Sequence, residues 1–270
     1  GGATSQHGPN SDRIYLMKLG DAEPEPLCAA LDELAQENHY GKIFAKVPAS
    51  CGEPFLDSGY QPEAIVPGFF RGQEAAWFLG KYLAAPRREE DRAGEYNSIL
   101  QLAEQQRSGP GKPGENGHDI RMCAPADAPA MSALYRAVFP SYPFPIDDPE
   151  FLRRSMRKDT AFFCVEQEGE LVALASSEMD REQLNVEMTD FATLPEGRGQ
   201  GLAQHLLAHM ETEMRQRGMR TAYTIARAIS PAMNVTFARQ QYAYAGRLPN
   251  NTQIGGDIES MNVWYKTLRA

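Results

Sequence analysis

Cysteine is scarce in this sequence, and no pair of the form CxxC occurs. The 270 residues contain four cysteines, Cys28, Cys51, Cys123 and Cys164, at scattered positions. Cysteines at such positions do not have the spacing of zinc ligands, and they are too few for a small domain that is stabilised by disulfide bonds. We therefore interpret them as buried, reduced thiols and expect the protein to hold no metal.

Long apolar runs and an excess of positive charge are also missing. No window approaches about 18 consecutive apolar residues, the length that a helix needs to span a bilayer. No charged stretch followed by an apolar core opens the chain, as it would in a secretory signal. The net charge is −9, whereas a protein that binds duplex nucleic acid needs a basic face. We therefore expect a cytoplasmic protein with neither a membrane nor a nucleic acid as partner.

The remaining composition, with 42% hydrophobic and 23% charged residues, is typical of an ordinary globular protein. In the first half, the spacing of apolar residues predicts a small α/β unit after a disordered start, GGATSQHGPNSD. The predicted elements are strands at 12–20 and 41–49, helices at 26–38 and 73–84, and a short helix followed by a strand within 53–70.

Residues 86–118 separate this unit from the rest of the chain. They contain a charge run, PRREEDRAGE, a stretch of helical character, NSILQLAEQQ, and the segment RSGPGKPGENGHD, whose glycines and prolines cannot pack a core. Strands and helices resume at residue 119. The sequence thus predicts an N-terminal α/β domain at 12–85, a linker at 86–118 and a second domain at 119–270.

Three glycines stand between a predicted strand and a predicted helix in ATLPEGRGQGLAQHLL, residues 192–207. The first turn of a helix has backbone N–H groups without intrahelical partners, and the helix dipole adds positive charge there. Gly199 and Gly201 leave room for an anion to reach those groups, and Arg198 adds a full charge. The stretch therefore predicts a phosphate cradle, although a glycine turn alone is weak support for one.

The stretch RGQGLA, residues 198–203, resembles the Arg/Gln-x-x-Gly-x-Gly/Ala motif of the GNAT acetyltransferases. The resemblance implies a GNAT fold of the α/β (α+β) class, with a central mixed, mostly antiparallel sheet flanked by helices and here an additional N-terminal α/β half-domain. It also implies acetyl-CoA as co-substrate, with its pyrophosphate held by the backbone amides of the motif. The implied cofactor-binding residues are Ala192, Thr193, Leu194, Arg198, Gly199, Gln200, Gly201, Leu202, Ala203 and Asn234.

Segments in both halves, among them YGKIFAKVPAS, SYPFPI, TAYTIARA and ESMNVWYK, look similar to the β-lysine N-acetyltransferases. This closer resemblance implies acetylation of the ε-amine of L-β-lysine, which gives the osmolyte Nε-acetyl-β-lysine. A small-molecule amine is then the expected partner, and the sequence leaves homodimer formation open. Three alternatives stay open: another small amine such as a polyamine or amino acid, a protein lysine, or a non-catalytic acyl-CoA-binding sensor.

Two carboxylates, Glu187 and Asp190, lie on the predicted strand that leads to the glycines. Only about one ε-ammonium in ~2,500 is deprotonated at pH 7, so the reaction needs a general base. Glu187 is our first candidate and Asp190 the second. Their odd separation places them on opposite faces of a regular strand, unless a bulge intervenes. Many GNAT enzymes have a tyrosine that protonates the leaving thiolate. At that position this sequence has Phe237, which cannot donate a proton.

A pocket for β-lysine needs acids for its second amine and an arginine or amide for its carboxylate. Glu178, Asp190 and Glu259 are candidates for the amine, and Arg227 and Asn251 for the carboxylate. Tyr142 and Phe144, in the loop SYPFPIDDP, can form a wall for the aliphatic chain.

One internal similarity links the two halves. VPASCGEPFLDSGYQPEA, residues 47–64, can be laid on ISPAMNVTFARQQYAYAG, residues 229–246, so that Phe55 falls on Phe237 and Tyr60 on Tyr242. Two ordinary βαβ units would give the same pattern. The alternative is that the first half is a diverged copy of part of the second.

Overall fold

The computed structural model describes residues 2–107 and 119–268. The Gly- and Pro-rich part of the predicted linker, residues 108–118, lies outside them. The strands are β1 (Thr4–Gly8), β2 (Arg13–Lys18), β3 (Lys42–Pro48), β4 (Gln61–Phe70), β5 (Glu74–Tyr82), β6 (Asp119–Met122), β7 (Thr160–Gln167), β8 (Glu170–Asp180), β9 (Asn185–Thr193), β10 (Thr221–Arg227), β11 (Ala243–Ile254) and β12 (Asp257–Thr267). The α-helices are α1 (Pro24–Glu37), α2 (Glu53–Asp57), α3 (Ala93–Gln106), α4 (Ala128–Val138), α5 (Pro149–Arg157), α6 (Leu202–Gln216) and α7 (Pro231–Arg239).

All twelve strands form one sheet, in the order β1-β2-β3-β5-β4-β11-β12-β10-β9-β8-β7-β6. Two neighbouring pairs are parallel, β2 with β3 and β9 with β10. In each parallel pair a long helix, α1 or α6, connects the strands, as a parallel connection requires. The other neighbouring pairs are antiparallel, so the predicted mixed, mostly antiparallel sheet flanked by helices is confirmed.

Two predictions about the first half are wrong. Residues 74–82, predicted as a helix, form β5, which is paired on both sides by β3 and β4. An apolar run buried on both faces of a central strand has no period-2 pattern, so its sequence cannot be distinguished from that of a buried helix. The start of the chain, predicted to be disordered, contains β1, which pairs with β2.

The predicted linker contains a helix. α3 has the helical character expected of NSILQLAEQQ and buries Tyr96, Ile99 and Ala103. It packs against α7, and Arg239 donates a hydrogen bond to Gln106 Oε1 at 2.7 Å. The division into domains at 12–85 and 119–270 stays a prediction, because strands of both segments share the sheet. No helix in the described parts of the chain has the length and apolar character to cross a membrane.

The two halves repeat one order of elements. β2-α1-β3-α2-β4-β5 corresponds to β9-α6-β10-α7-β11-β12, and in both sets the last strand lies between the two before it. The rings of Phe55 and Tyr60 meet edge to face at 5.2 Å and 80°, and those of Phe237 and Tyr242 at 5.1 Å and 75°. The internal similarity of the sequence therefore extends to side-chain packing.

The halves join where β4 pairs with β11, through Ala64 and Gly246. These are the last residues of the two similar windows, so equivalent residues face each other across a local pseudo-twofold axis. The sheet then curves strongly. Strands β2 and β8 would lie ~40 Å apart in a flat sheet, yet Lys18 Nζ on β2 is 2.7 Å from Asp180 Oδ2 on β8. The curvature brings β2 and β3 of the first half opposite β8, β9 and β10 of the second.

The joint requires glycine at position 246, so the change Gly246→Ala should destabilise the fold. The residue has φ +146°, and an added Cβ would lie 2.1 Å from the Glu63 carbonyl oxygen and 2.7 Å from Ala64 Cα. We expect a loss of about 2–3 kcal/mol in the free energy of unfolding, measured by urea titration. Gly94→Ala is the matched control because a Cβ there has open space. Equal stability of the two variants would contradict the importance of the joint.

Candidate active site

A cavity of about 910 Å³ lies between the two halves. The first half contributes Arg13 and Tyr15 from β2 and Phe44 and Lys46 from β3. The second half contributes residues of β8, β9 and β10 and of the loop before α5: Tyr142, Phe144, Glu178, Glu187, Asp190, Tyr223 and Arg227. Neither half alone encloses this space.

Strands β9 and β10 separate beside the cavity. They pair from Asn185 to Glu187 on β9, and no ladder continues beyond Glu187 opposite Tyr223. β9 also contains a bulge: Leu174 and Ser176 of β8 pair with Ala192 and Thr189, so one residue of β8 opposes two residues of β9 between these pairs. Backbone N–H and C=O groups of β9 beyond Glu187 are therefore free of a partner strand on the β10 side. The result is a wedge-shaped opening between the strands.

The bulge determines which carboxylates meet. Asp190 lies in it with φ +55°, a left-handed conformation that is uncommon for a non-glycine residue. The extra residue cancels the odd separation of Glu187 and Asp190, so both line the same cavity. Glu178 of β8 lies directly opposite Glu187 in the ladder and joins them. The structure thus brings together three of the predicted acids, Glu178, Glu187 and Asp190.

Burial raises the pKa of all three acids, because each charged form loses water; the neighbouring acids raise the pKa of Glu178 and Glu187 further. The pKa of Glu178 rises to about 8, from burial and from Asp190 and Glu187. Burial also raises the pKa of Glu187, against the opposing effects of Lys46 and Tyr223. Glu178 has substantial accessible surface, but it faces the cavity. A carboxyl with a pKa of about 8 is mostly protonated at pH 7 and changes its charge just above neutral pH.

Asp190 is held in place by two hydroxyl groups. Tyr142 Oη donates to Asp190 Oδ1 and Ser176 Oγ donates to Oδ2, each at 2.6 Å. These bonds stabilise the carboxylate, although burial still raises its pKa. Tyr142 comes from the loop predicted to form the aliphatic wall, and Phe144 lines the cavity beside it. With both oxygens already bonded, Asp190 contributes charge more readily than it exchanges protons.

Glu187 faces a different set of groups. Tyr223, its neighbour on β10, accepts a hydrogen bond from Lys46 Nζ at 3.1 Å. With its oxygen occupied in this way, the Tyr223 hydroxyl can direct its proton towards Glu187, and it acts to lower the pKa of that carboxyl. Lys46 therefore links the first half of the chain to the carboxylate that the sequence favours as base.

The predicted phosphate cradle lies at the start of α6. The backbone N–H groups of residues 199–203 make no hydrogen bond within the described parts of the chain. Gly199 and Gly201 have φ +81° and +73°, and a Cβ added at Gly199 would have open space.

The side chains around the cradle point elsewhere. The Gln200 side chain forms hydrogen bonds with Glu196 O and the Gln167 side chain, and the Arg198 side chain is exposed. Leu202 buries its side chain, whereas its amide, like that of Ala203, lacks an acceptor. Five free amides in sequence can donate hydrogen bonds to a phosphate-type anion, so the cradle stays a prediction that this geometry allows.

The predicted backbone contacts lie between the cradle and the wedge. Ala192 and Thr193 pair with Leu174 and Ala173 of β8, and Leu194 N donates to Val172 O at 3.0 Å. One edge of this segment is thus occupied by β8, while the opposite edge borders the wedge.

Three predicted contacts are used inside the protein instead. Asn234, predicted to contact the cofactor, is fully buried. Its amide donates to Arg227 O and Ser230 O and accepts from Asn262 and Trp264. No group of this side chain remains for a ligand, so the geometry gives it a structural role.

Arg227 and Glu259, predicted to bind opposite charges of the substrate, bind each other. The guanidinium donates from Nε and Nη2 to the two oxygens of Glu259, a bidentate pair that neutralises both groups. Asn251 differs, because it lines the cavity and its side-chain Oδ1 is buried without a partner.

The sequence analysis missed Arg13, Tyr15 and Lys46. The signal available was a basic residue inside each apolar strand of the first half, RIYLMK and KIFAKVP. Such residues are more often surface charges, and only the curvature of the sheet places these in the cavity. In the described residues no group of three or more potential ligands for a metal ion occurs.

Comparison with known proteins gives a consistent result. Residues 129–234 match the Acetyltransferase (GNAT) family. The chain is 38% identical to the β-lysine N(6)-acetyltransferase of Methanococcus maripaludis, over 95% of this chain and 93% of that protein. It is 30% identical to the enzyme of the same name from Methanosarcina mazei, over 90% and 97%. The ribosomal-protein-S18-alanine N-acetyltransferase of Escherichia coli has a similar fold, with a TM-score of 0.50 and 18% identity, over 57% of this chain and 95% of that one.

The raised pKa of Glu178 predicts a pH-dependent stability. Between its usual value of 4.5 and about 8 the folded protein binds more protons than the unfolded chain, so stability falls as pH rises through this window. Glu178→Gln removes this loss. We expect the variant to match wild type near pH 4.5 and to exceed it by about 1–2 kcal/mol at pH 9, allowing for screening by cavity water.

Urea titration across this pH range measures the effect. Glu170→Gln, an exposed carboxylate at the start of the same strand, is the control and should give a constant difference. A Glu178 variant whose difference from wild type does not change with pH would show that the acid cluster is not charged in the way described.

Proposed function

Because the chain belongs to the GNAT family of N-acetyltransferases, we propose that it transfers the acetyl group of acetyl-CoA to the ε-amine of L-β-lysine. The product, Nε-acetyl-β-lysine, would serve as a compatible solute. The observation that carries the proposal is the acid cluster of Glu178, Glu187 and Asp190, which lies in a cavity beside the wedge leading to the amide cradle. The printed names of the two relatives support the choice of acceptor.

The cradle suits the pyrophosphate of acetyl-CoA. Its five unpartnered amides and the α6 dipole provide hydrogen bonds and positive charge without a side chain in the way. Bound acetyl-CoA would supply the activated acetyl group as a thioester. The unpaired edge of β9 offers backbone donors and acceptors to an extended chain that enters the wedge. Preorganised N–H groups there also stabilise the negative charge that develops on the thioester carbonyl oxygen when the amine attacks it.

Glu187 acts as the general base in this account. Deprotonating an ε-ammonium costs about 4–5 kcal/mol at pH 7, because its ordinary pKa is near 10.4. Because the pKa of Glu187 is raised, the difference between its pKa and that of the ammonium group is smaller, and proton transfer to the carboxylate is less unfavourable. Asp190, whose two oxygens accept hydrogen bonds from Tyr142 and Ser176, holds negative charge nearby and attracts the ammonium before it loses its proton. The thiolate, with an ordinary pKa near 8.5, leaves without a dedicated acid, which is compatible with Phe237 at the usual tyrosine position.

The charge pattern of the cavity matches the charges of β-lysine. This acceptor carries two ammonium groups and one carboxylate, and three acids on one wall provide for the ammonium groups. Tyr142 and Phe144 border the space for the aliphatic chain. Acetylation removes one positive charge and leaves a zwitterion without net charge, which is consistent with accumulation as a compatible solute.

The acceptor is tested by a panel of amines with acetyl-CoA, in which release of the free thiol is measured. β-Lysine should exceed α-lysine in kcat/KM by at least ~10², because the second ammonium group of α-lysine lies one carbon nearer the carboxylate and would be left as a buried charge away from its acid. Spermidine and a lysine-containing peptide should be slower still. Equal rates on the two lysines, or faster turnover of spermidine, would defeat the choice of β-lysine. Absence of thiol release with every amine would contradict acetyl-CoA as donor.

The base is tested by Glu187→Gln, which keeps the shape of the side chain and removes its charge. We expect kcat to fall by ~10² or more while acetyl-CoA binding is retained, and the rise of kcat/KM with pH that follows ionisation of Glu187 to disappear. Glu170→Gln, an exposed carboxylate at the start of β8 that does not line the cavity, is the matched control. A Glu187 variant within threefold of wild type would move the assignment to Asp190.

A further inference from the structure

Two cations of the first half line the cavity without an ion pair. Four basic residues border it in the described parts of the chain: Arg13, Lys18, Lys46 and Arg227. Lys18 is paired with Asp180 and Arg227 with Glu259. No described carboxylate forms an ion pair with Arg13 or Lys46. An enclosed positive charge without a counterion is costly, so a site of this kind is complementary to an anion.

Arg13 is held with part of its guanidinium free. Its Nη1 donates to the Asn251 main-chain carbonyl and, at 3.0 Å, to Thr252 Oγ1. Its Nε and Nη2 make no hydrogen bond with any described residue. Burial lowers the pKa of Arg13 to about 10, so it stays charged at neutral pH. The arginine is thus oriented by one nitrogen and leaves two donors for a ligand.

Lys46 lies near the same aromatic ring as Arg13. The Tyr15 ring centroid is 5.3 Å from Arg13 Cζ and 6.0 Å from Lys46 Nζ. The ammonium group also lies 5.2 Å from the rings of Phe69 and Tyr223, which favour a cation. Burial acts to lower the pKa of Lys46, but Tyr15 and Glu187 outweigh it and the ammonium form is kept.

The Asn251 amide completes the group. It borders the cavity next to Arg13, and neither its oxygen nor its nitrogen has a side-chain hydrogen bond with a described residue, the oxygen being buried. An amide can turn to offer either a donor to a carboxylate or an acceptor to an ammonium group. Next to a cation, it suits the carboxylate end of an amino acid.

We propose that Arg13 and Lys46 bind the carboxylate of the acceptor, so that the first half of the chain selects amino acids over simple polyamines. This inference rests on the proposed function, since it assumes that the acceptor amine is directed towards Glu187. The acids of the second half then hold the ammonium groups, and the cations of the first half hold the opposite end. The chain between the carboxylate and the ε-amine is the same in α-lysine and β-lysine, so the carboxylate site discriminates against polyamines. The acids that hold the second ammonium group then distinguish the two lysines.

The test compares an acid with its uncharged amide. 6-Aminohexanoate has the same carboxylate-to-amine chain as β-lysine, and 6-aminohexanamide differs from it only at the carboxylate. Calorimetric titration of the CoA-loaded enzyme should give at least ~10-fold tighter binding of the acid. In Arg13→Gln and in Lys46→Met this ratio should fall below ~3. In Arg13→Lys, which keeps the charge, part of the preference should return.

The ratio separates recognition from general damage. Loss of Lys46 also affects Glu187, but both probes meet the same acids, so that effect cancels. Lys18→Met, which removes a cavity cation already paired with Asp180, is the matched control and should keep the wild-type ratio. Circular dichroism checks that each variant is folded.

Two results would overturn the inference: equal binding of the acid and the amide by wild type, or an unchanged ratio in both the Arg13 and the Lys46 variants. A wild-type enzyme that fails to acetylate β-lysine but prefers 6-aminohexanoate would refute the proposed acceptor and still support the carboxylate site. The same comparison in turnover, with β-lysine and its carboxamide, should give the same order in kcat/KM.

Discussion

The cavity depends on the close approach of two backbones where β4 meets β11. Gly246 lies against Glu63 and Ala64 with no room for a side chain, and this contact joins two half-sheets into one. The sheet curves around the joint until Lys46 of β3 reaches Tyr223 of β10. Because equivalent residues pair there, the two halves face each other about a pseudo-twofold axis. The first half is therefore a wall of the site, and removal of either half would open it to water.

Charge balance explains the chemistry of this space. Three acids on one wall are deprived of water, which raises the pKa of each, and repulsion from their acidic neighbours adds to this for Glu178 and Glu187. Two cations on the opposite wall lack ion-pair partners among the described residues. A ligand with ammonium groups at one end and a carboxylate at the other relieves both costs at once. The protein thus accepts unfavourable electrostatics in its free state, and binding of a matching amino acid compensates for them.

The sequence predicted the fold best where local signals were strong. The glycine turn before α6, and the alignment of Phe55 with Phe237 and of Tyr60 with Tyr242, came from residues close together in the chain. β5 was predicted as a helix because its apolar residues are buried on both faces and show no strand period. Of the predicted site residues, Glu187 and Asp190 share the cavity only because of a bulge, which no single residue type announces.

The remaining differences at the site arise from long-range geometry. Arg227 and Glu259 are separated by 32 positions and their pairing follows from the register of β10 with β12. Arg13 and Lys46 reach the cavity through the curvature of the whole sheet. Residue types alone could not show which charges neutralise each other and which remain available.

The central claim is that the two halves hold opposite ends of one acceptor. A crystal structure of the complex with CoA and β-lysine tests this claim most directly. We expect the ε-nitrogen within about 2.7–3.2 Å of Glu187 or of a water bound to it, the carboxylate on Arg13 and Lys46, and the pyrophosphate on residues 199–203. β-Lysine bound in the reverse orientation, or outside the cavity between the halves, would contradict the account.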